Sequence, residues 1–179
     1  MGANYNYKNT LRSIFFIIAI IFFASCSESE KNAQKITLED IYSNKVRGYD
    51  WFDFEYQDYN LNKDNLQDIR SNFNVEAHKI LIYTSPSCSC GREFRKFPAF
   101  IKILDSAGIS KESYEIYSIG DRDFSHPYKD LFKINIIPSF IVLHDNAPVY
   151  SINDTILKYT SSTSNDLETR LLEALKKTL

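Results

Sequence analysis

Glycine and proline are scarce, five of each in 179 residues, which excludes collagen-like and low-complexity linker architectures. Basic runs longer than a pair are absent, and 21 Lys and Arg stand against 23 Asp and Glu, so no nucleic-acid surface is expected. Histidine occurs three times (His78, His126, His144), never at metal-ligand spacing; the lone histidines read as surface or turn residues. Asp121 and Asp123 lack the later ligands of a calcium loop, and that segment reads as a solvated turn. No metal and no cofactor is expected. Abundant instead are aromatic residues, 12 Tyr and 13 Phe within 44% apolar content, enough for one sizeable core plus appendages.

The stretch around which the chain is organised is Lys79-Ile-Leu-Ile-Tyr-Thr-Ser-Pro-Ser-Cys-Ser-Cys-Gly-Arg-Glu-Phe94. Ile80 to Tyr83 suits a buried strand. Thr84-Ser-Pro-Ser87 breaks it with turn chemistry, Pro86 fixing φ. Cys88 and Cys90 follow, then Gly91 to Asp105 with Phe94, Phe97, Ile101 and Leu104 at helical spacing. Strand, turn, cysteine and helix place a thiol at a helix N-terminus, where free amides and the dipole favour the reactive thiolate. The expectation is a redox site.

Residues 1–25 stand apart. Lys8 and Arg12 precede the apolar run Ile14 to Ala24, which at about eleven residues is too short for a ~30 Å bilayer core and suits a signal peptide. Its end, Phe23-Ala24-Ser25-Cys26, resembles the lipobox of bacterial lipoproteins. That resemblance implies a lipidated Cys26 at the mature N-terminus and a bacterial cell-envelope location, lipid-anchored on the exported side. An ordinary secretory signal is the other reading. Cys88 and Cys90 then remain for pairing or redox work in an oxidising compartment.

Taken in order, Ser27 to Gln34 reads as a polar tether, and Thr37 caps a short helical turn ending at Tyr42. Tyr49 to Tyr59 alternates Phe52, Phe54 and Tyr56 with Asp53, Glu55 and Gln57, the period of a half-buried strand. Asn62 to Phe73 reads as a helix. Gly108 closes the cysteine helix, Tyr114 to Ile119 is a strand, and Tyr128 to Lys133 a short helix. Pro138 sits just before the strand Phe140 to Leu143, where a missing N–H is tolerable. His144 to Pro148 turns into a partner strand, Val149 to Ile152. After the polar break Thr160 to Asn165, Asp166 to Lys177 forms an amphipathic helix burying Leu167, Leu171, Leu172 and Leu175.

Set beside Ser87-Cys-Ser-Cys-Gly91 and Ile136-Ile-Pro-Ser-Phe-Ile-Val142, this element order resembles the thioredoxin superfamily. The resemblance implies an α/β, thioredoxin-like fold over residues 49–179: a central mixed four- to five-stranded sheet flanked by helices. Residues 1–25 would be the signal segment and 26–48 a tether with a short helix. It further implies a cis Pro138 beside the cysteines and an Ile137 backbone that binds substrate peptide. The chain departs from the family pattern in four places. Gly91 stands where a resolving cysteine would be, Ser87 replaces a tryptophan, Ile82 replaces a buried acid, and Pro98 comes several residues later in the cysteine helix than the family proline.

A Cys-x-Cys disulfide is geometrically demanding: Cα atoms two apart span about 5.5–7 Å, near the upper bound. On a helix the two side chains would point about 200° apart, so residues 88–90 must lie in the turn. Such a bond would be strained and easily reduced. The leading function is a membrane-tethered thiol–disulfide oxidoreductase acting through Cys88 and Cys90 on thiols and disulfides of exported proteins, with an unidentified electron donor. The alternatives are a redox-inactive peptide-binding module at Ile137 and Pro138, or a thiolate site handling copper(I) or zinc.

Overall fold

A computed structural model describes residues 32–86, 92–120, 124–152 and 166–177. Cys26, Cys88, Cys90, the signal segment and the 160–165 break lie outside the described residues. Lys31–Leu179 forms one compact unit, a mixed α/β structure whose five strands run in the order β1-β3-β2-β4-β5. These are β1 Gln34–Ile36, β2 His78–Thr84, β3 Tyr114–Ser118, β4 Ser139–His144 and β5 Ala147–Ser151. β2 and β3 are parallel, and β1, β4 and β5 each run antiparallel to their neighbour. The helices are α1 Leu38–Tyr42, α2 Phe52–Asp58, α3 Leu66–Asn72, α4 Lys96–Ala107 and α5 Asp166–Lys176.

Local chemistry accounts for the elements. Thr37 caps α1 in a reciprocal box, its hydroxyl accepting from the Asp40 N–H at 3.1 Å while its own N–H donates to the Asp40 carboxylate at 2.9 Å. Gly108 ends α4 with φ 74, and its N–H and that of Ile109 satisfy the last carbonyls. Asp145 and Asn146 both take positive φ, 48 and 64, the two-residue hairpin turn whose twist suits antiparallel strands. In β2 the apolar run alternates: Ile80 and Ile82 enter one core, Leu81 and Tyr83 another.

Four expectations are corrected. Tyr49 to Tyr59 is not a strand: Phe52–Asp58 is helical, because Phe52 and Tyr56 stack one turn apart at 6.1 Å while Phe54 faces solvent. The far end of the polar tether is structured, since the Ala33 N–H donates to the Ser125 carbonyl and Gln34 opens β1 against Ser118. Tyr128 to Lys133 forms successive turns closed on His126 and Tyr128 rather than a helix. The cysteine helix opens with a 3-10 turn, Arg92–Arg95, and becomes α-helical at Lys96.

The two faces of the sheet are covered differently. One carries the α-helices of the described residues: Phe97, Phe100, Ile101 and Leu104 of α4, Phe52 of α2, Ile69 of α3 and Leu171 and Leu175 of α5 pack on Ile80, Ile82, Phe140 and Val142. The other is covered by irregular chain, with Phe124, Tyr128, Phe132, Ile134 and Ile137 lying on Leu81, Tyr83, Ile141 and Leu143.

Candidate functional site

β2 delivers the chain to the expected cysteines. Its last residues, Tyr83 and Thr84, are buried, and Ser85 and Pro86 lead directly into residues 87–91. Alongside, the Ile119 N–H donates to the Thr84 carbonyl at 2.8 Å, extending the β2–β3 pairing. On the opposite side Tyr83 pairs with Ser139, so Pro138 lies one step beyond that pair, level with the end of β2. The Ile137–Pro138 peptide is cis, as the family resemblance implies, and Pro138 is buried. Among the described residues the Ile137 backbone makes no hydrogen bond.

A collar that sequence reasoning missed, Gly48 to Trp51, meets Pro86 through Gly48. Gly48 has φ 88, and a Cβ there would stand 2.9 Å from Pro86 Cβ and 3.0 Å from its carbonyl oxygen, so only glycine fits this approach. The Trp51 indole N–H donates to the Gly48 carbonyl at 2.9 Å, and the Trp51 ring meets Phe94 edge-on at 6.2 Å. Between them the buried Tyr49 hydroxyl donates to Ser118 Oγ at 2.9 Å. Burial pushes the Tyr49 phenol up to about 12, against opposing interactions with the Ser118 and Thr84 hydroxyls, so it stays a neutral donor. The one sequence signal was Gly48-Tyr-Asp-Trp51, a glycine before a polar-tipped aromatic pair.

On the helical face, Ile82 is fully buried among apolar side chains, so no carboxylate stands at that position. What polarity there is comes from hydroxyls. Thr84 Oγ1 is buried beside the Tyr49 phenol, close enough to stabilise its charged form but without a hydrogen bond of good geometry. Thr84 pairs in register with Ser118, the acceptor of Tyr49. Tyr49, Ser118 and Thr84 thus form a neutral polar patch at the end of β2.

The histidines depart from expectation. His78 and His126 are buried, 4% and 7% exposed, and His144 is half-buried. His78 Nδ1 accepts from the Asn74 N–H at 2.8 Å, and its ring packs on His144 at 5.1 Å. Burial lowers its pKa, His144 adds to this, and Asp145 opposes. His126 is lowered by burial and then by Lys129. Its Nδ1 lies 3.1 Å from the Tyr83 hydroxyl. Burial first, then Tyr117, Tyr128 and Glu115, raise the Tyr83 phenol, so the Tyr83–His126 hydrogen bond joins two neutral groups. No group of three potential metal ligands occurs among the described residues.

No family model, curated protein or solved structure matches the chain. No helix among the described residues is long and apolar enough to cross a membrane.

Proposed function

We propose that the chain is a lipid-anchored, thioredoxin-like thiol–disulfide oxidoreductase of the bacterial cell envelope, working through Cys88 and Cys90. The observation that supports this reading most is the cis Ile137–Pro138 peptide level with the strand end that leads into Ser87-Cys-Ser-Cys-Gly91. In the exchange, the Cys88 thiolate attacks one sulfur of a disulfide in an exported protein. The substrate S–S bond breaks, a mixed disulfide forms, and the displaced thiolate takes a proton. Cys90, as thiolate, then attacks the Cys88 sulfur and releases the second substrate thiol. Two electrons pass to the substrate and a Cys88–Cys90 disulfide remains, to be reduced by a dithiol donor. An extended substrate segment would take the Ile137 backbone, unbonded among the described residues, as its hydrogen-bonding edge. With Ile82 in place of an acid, Tyr49, Ser118 and Thr84 supply only neutral groups for proton transfer, which favours slow turnover. Cys26 supplies the lipid thioether.

The test is trapping in the native envelope. Cys90→Ser should accumulate mixed disulfides with exported proteins, and Cys88→Ser should accumulate none. The reverse pattern swaps the two roles. If neither variant traps a partner and the wild type reduces no disulfide, the peptide-binding module replaces the oxidoreductase. Mass spectrometry of the native N-terminus should show acylated Cys26; an unmodified cysteine removes the anchor.

A further inference from the structure

At the far end of α4 from the cysteine segment, a cleft of about 170 Å³ lies between α3 and the turn that precedes β3. Arg70, Phe73 and Val75 form one wall, and Gly108, Ile109 and Ser113 the other. Arg70 is exposed and makes no ion pair or hydrogen bond among the described residues. Its guanidinium reaches over Gly108, where an added Cβ would meet its Cζ and Nε at 3.9 Å. Capping α4 is not its task, because the Gly108 and Ile109 N–H groups already satisfy the Asp105 and Leu104 carbonyls at 3.0 and 2.9 Å. Ser113 is 5% exposed, and its hydroxyl is buried without a partner. Ser110, also on the cleft, is by contrast engaged with the Glu112 N–H and carboxylate.

We propose that this cleft binds a small organic carboxylate with a short branched apolar tail. Arg70 takes the carboxylate on its two-pronged face. Ser113 adds the hydroxyl donor it otherwise leaves unmade. Phe73, Val75 and Ile109 receive the tail. A single cation with one hydroxyl matches one negative charge, whereas a phosphate dianion needs more donors than the wall offers. The cleft is below the ~300 Å³ of drug-sized pockets, which keeps the ligand small. This site is independent of the thiol reading.

Isovalerate is the probe, titrated into the full-length protein by calorimetry and amide NMR, with isovaleramide and inorganic phosphate as controls. Saturable isovalerate binding should shift the Ile109 and Ser113 amides. Arg70→Gln should weaken it by about tenfold or more, and Ser113→Ala by about threefold. Both variants should keep the wild-type melting profile to within a few degrees, since Arg70 is exposed and Ser113→Ala removes only an unpartnered hydroxyl. Isovaleramide should not saturate, and Cys88→Ser should bind as the wild type does. No saturable response to isovalerate, equal affinity in Arg70→Gln, or phosphate binding tighter than isovalerate would overturn the proposal and leave a merely hydrated cleft.

Discussion

The helical face and the loop face of the sheet bury comparable strand residues by different means. On the helical face the covering is regular: α4 lays Phe100 flat on Phe140, ring centroids 4.2 Å apart, and backbone polarity is satisfied within the helices. On the loop face the cover from Phe124 to Ile137 has no helix, so side chains must hold it. Tyr83 is central there, stacked on Tyr117 at 5.2 Å and bonded to His126. Glu115 ties the rim, accepting from Lys35 at 2.6 Å, Lys79 at 2.9 Å, Tyr117 at 2.7 Å and Tyr128 at 3.1 Å. A regular cover depends on apolar contact, and an irregular one depends also on the protonation of a few groups. Ile137, which leads into the cis peptide, belongs to the second kind.

The sharpest break in that contrast comes from paired truncations. Phe100→Ala should cost about 3–5 kcal/mol in denaturant unfolding, the range for a fully buried ring. Phe132→Ala, half-buried on the loop face, should cost about 1–2 kcal/mol. Equal costs would mean that the loop cover packs as tightly as the helices.

Next in size is Glu115→Gln, expected to cost about 1–3 kcal/mol at neutral pH, discounted because Lys35 is 59% exposed. Burial would raise the Glu115 pKa, but bonds from Lys35, Tyr117, Lys79 and Tyr128 outweigh it and hold the carboxyl at about 2 instead of 4.5. A depressed carboxyl stabilises the fold fully above its unfolded value and loses that contribution as pH falls from about 4.5 through about 2. Urea midpoints across that window should fall in the wild type and flatten in the variant. An unchanged slope would remove Glu115 as the lock.

The smallest effect belongs to His126. Its folded pKa lies below 6.5, so its contribution is full above 6.5 and declines as pH drops through that value and the ring must charge. His126→Gln keeps a hydrogen-bond partner for Tyr83, so stability at neutral pH should change by less than about 1 kcal/mol. The slope just below pH 6.5 should shrink, with the remainder belonging to His78. A slope identical to wild type would take His126 out of the loop-face account.

Much of the helical face was legible in the sequence. The β2 run, Gly108, Pro138 before β4 and the leucines of α5 each follow from a local rule acting on adjacent residues, whereas the turn expected over His144 to Pro148 narrows to Asp145 and Asn146, with Ala147 and Pro148 already in β5. The misreadings arose where distance or ambiguity governs. Phe52, Phe54 and Tyr56 fit period two, while Phe52 and Tyr56 alone also share one helical face, and packing of Phe52 against Phe97 at 5.1 Å selects the helix. β1 is three residues long and pairs with a strand some eighty positions away, beyond any local pattern. Buried Glu168 was invisible for the same reason: its partners, the Tyr59 hydroxyl at 2.8 Å and the Asn62 N–H at 3.0 Å, come from the other end of the domain. The histidines misled because composition favours exposure, whereas ring packing on Tyr83 and Phe132 buries His126. Of the candidate site, Pro138 was readable as a motif and the cysteines lie outside the described residues, while the Gly48–Trp51 collar required the fold.

The central claim, that Cys88 and Cys90 act as one redox pair, is tested most directly by counting their free thiols in the envelope protein across a graded thiol–disulfide buffer. Alkylation followed by mass spectrometry should find both thiols blocked under oxidising conditions, joined in a single peptide. Both should appear together along a two-electron curve, shifting tenfold in ratio for about 30 mV. Two thiols free at every potential, or two that titrate independently, would contradict the account.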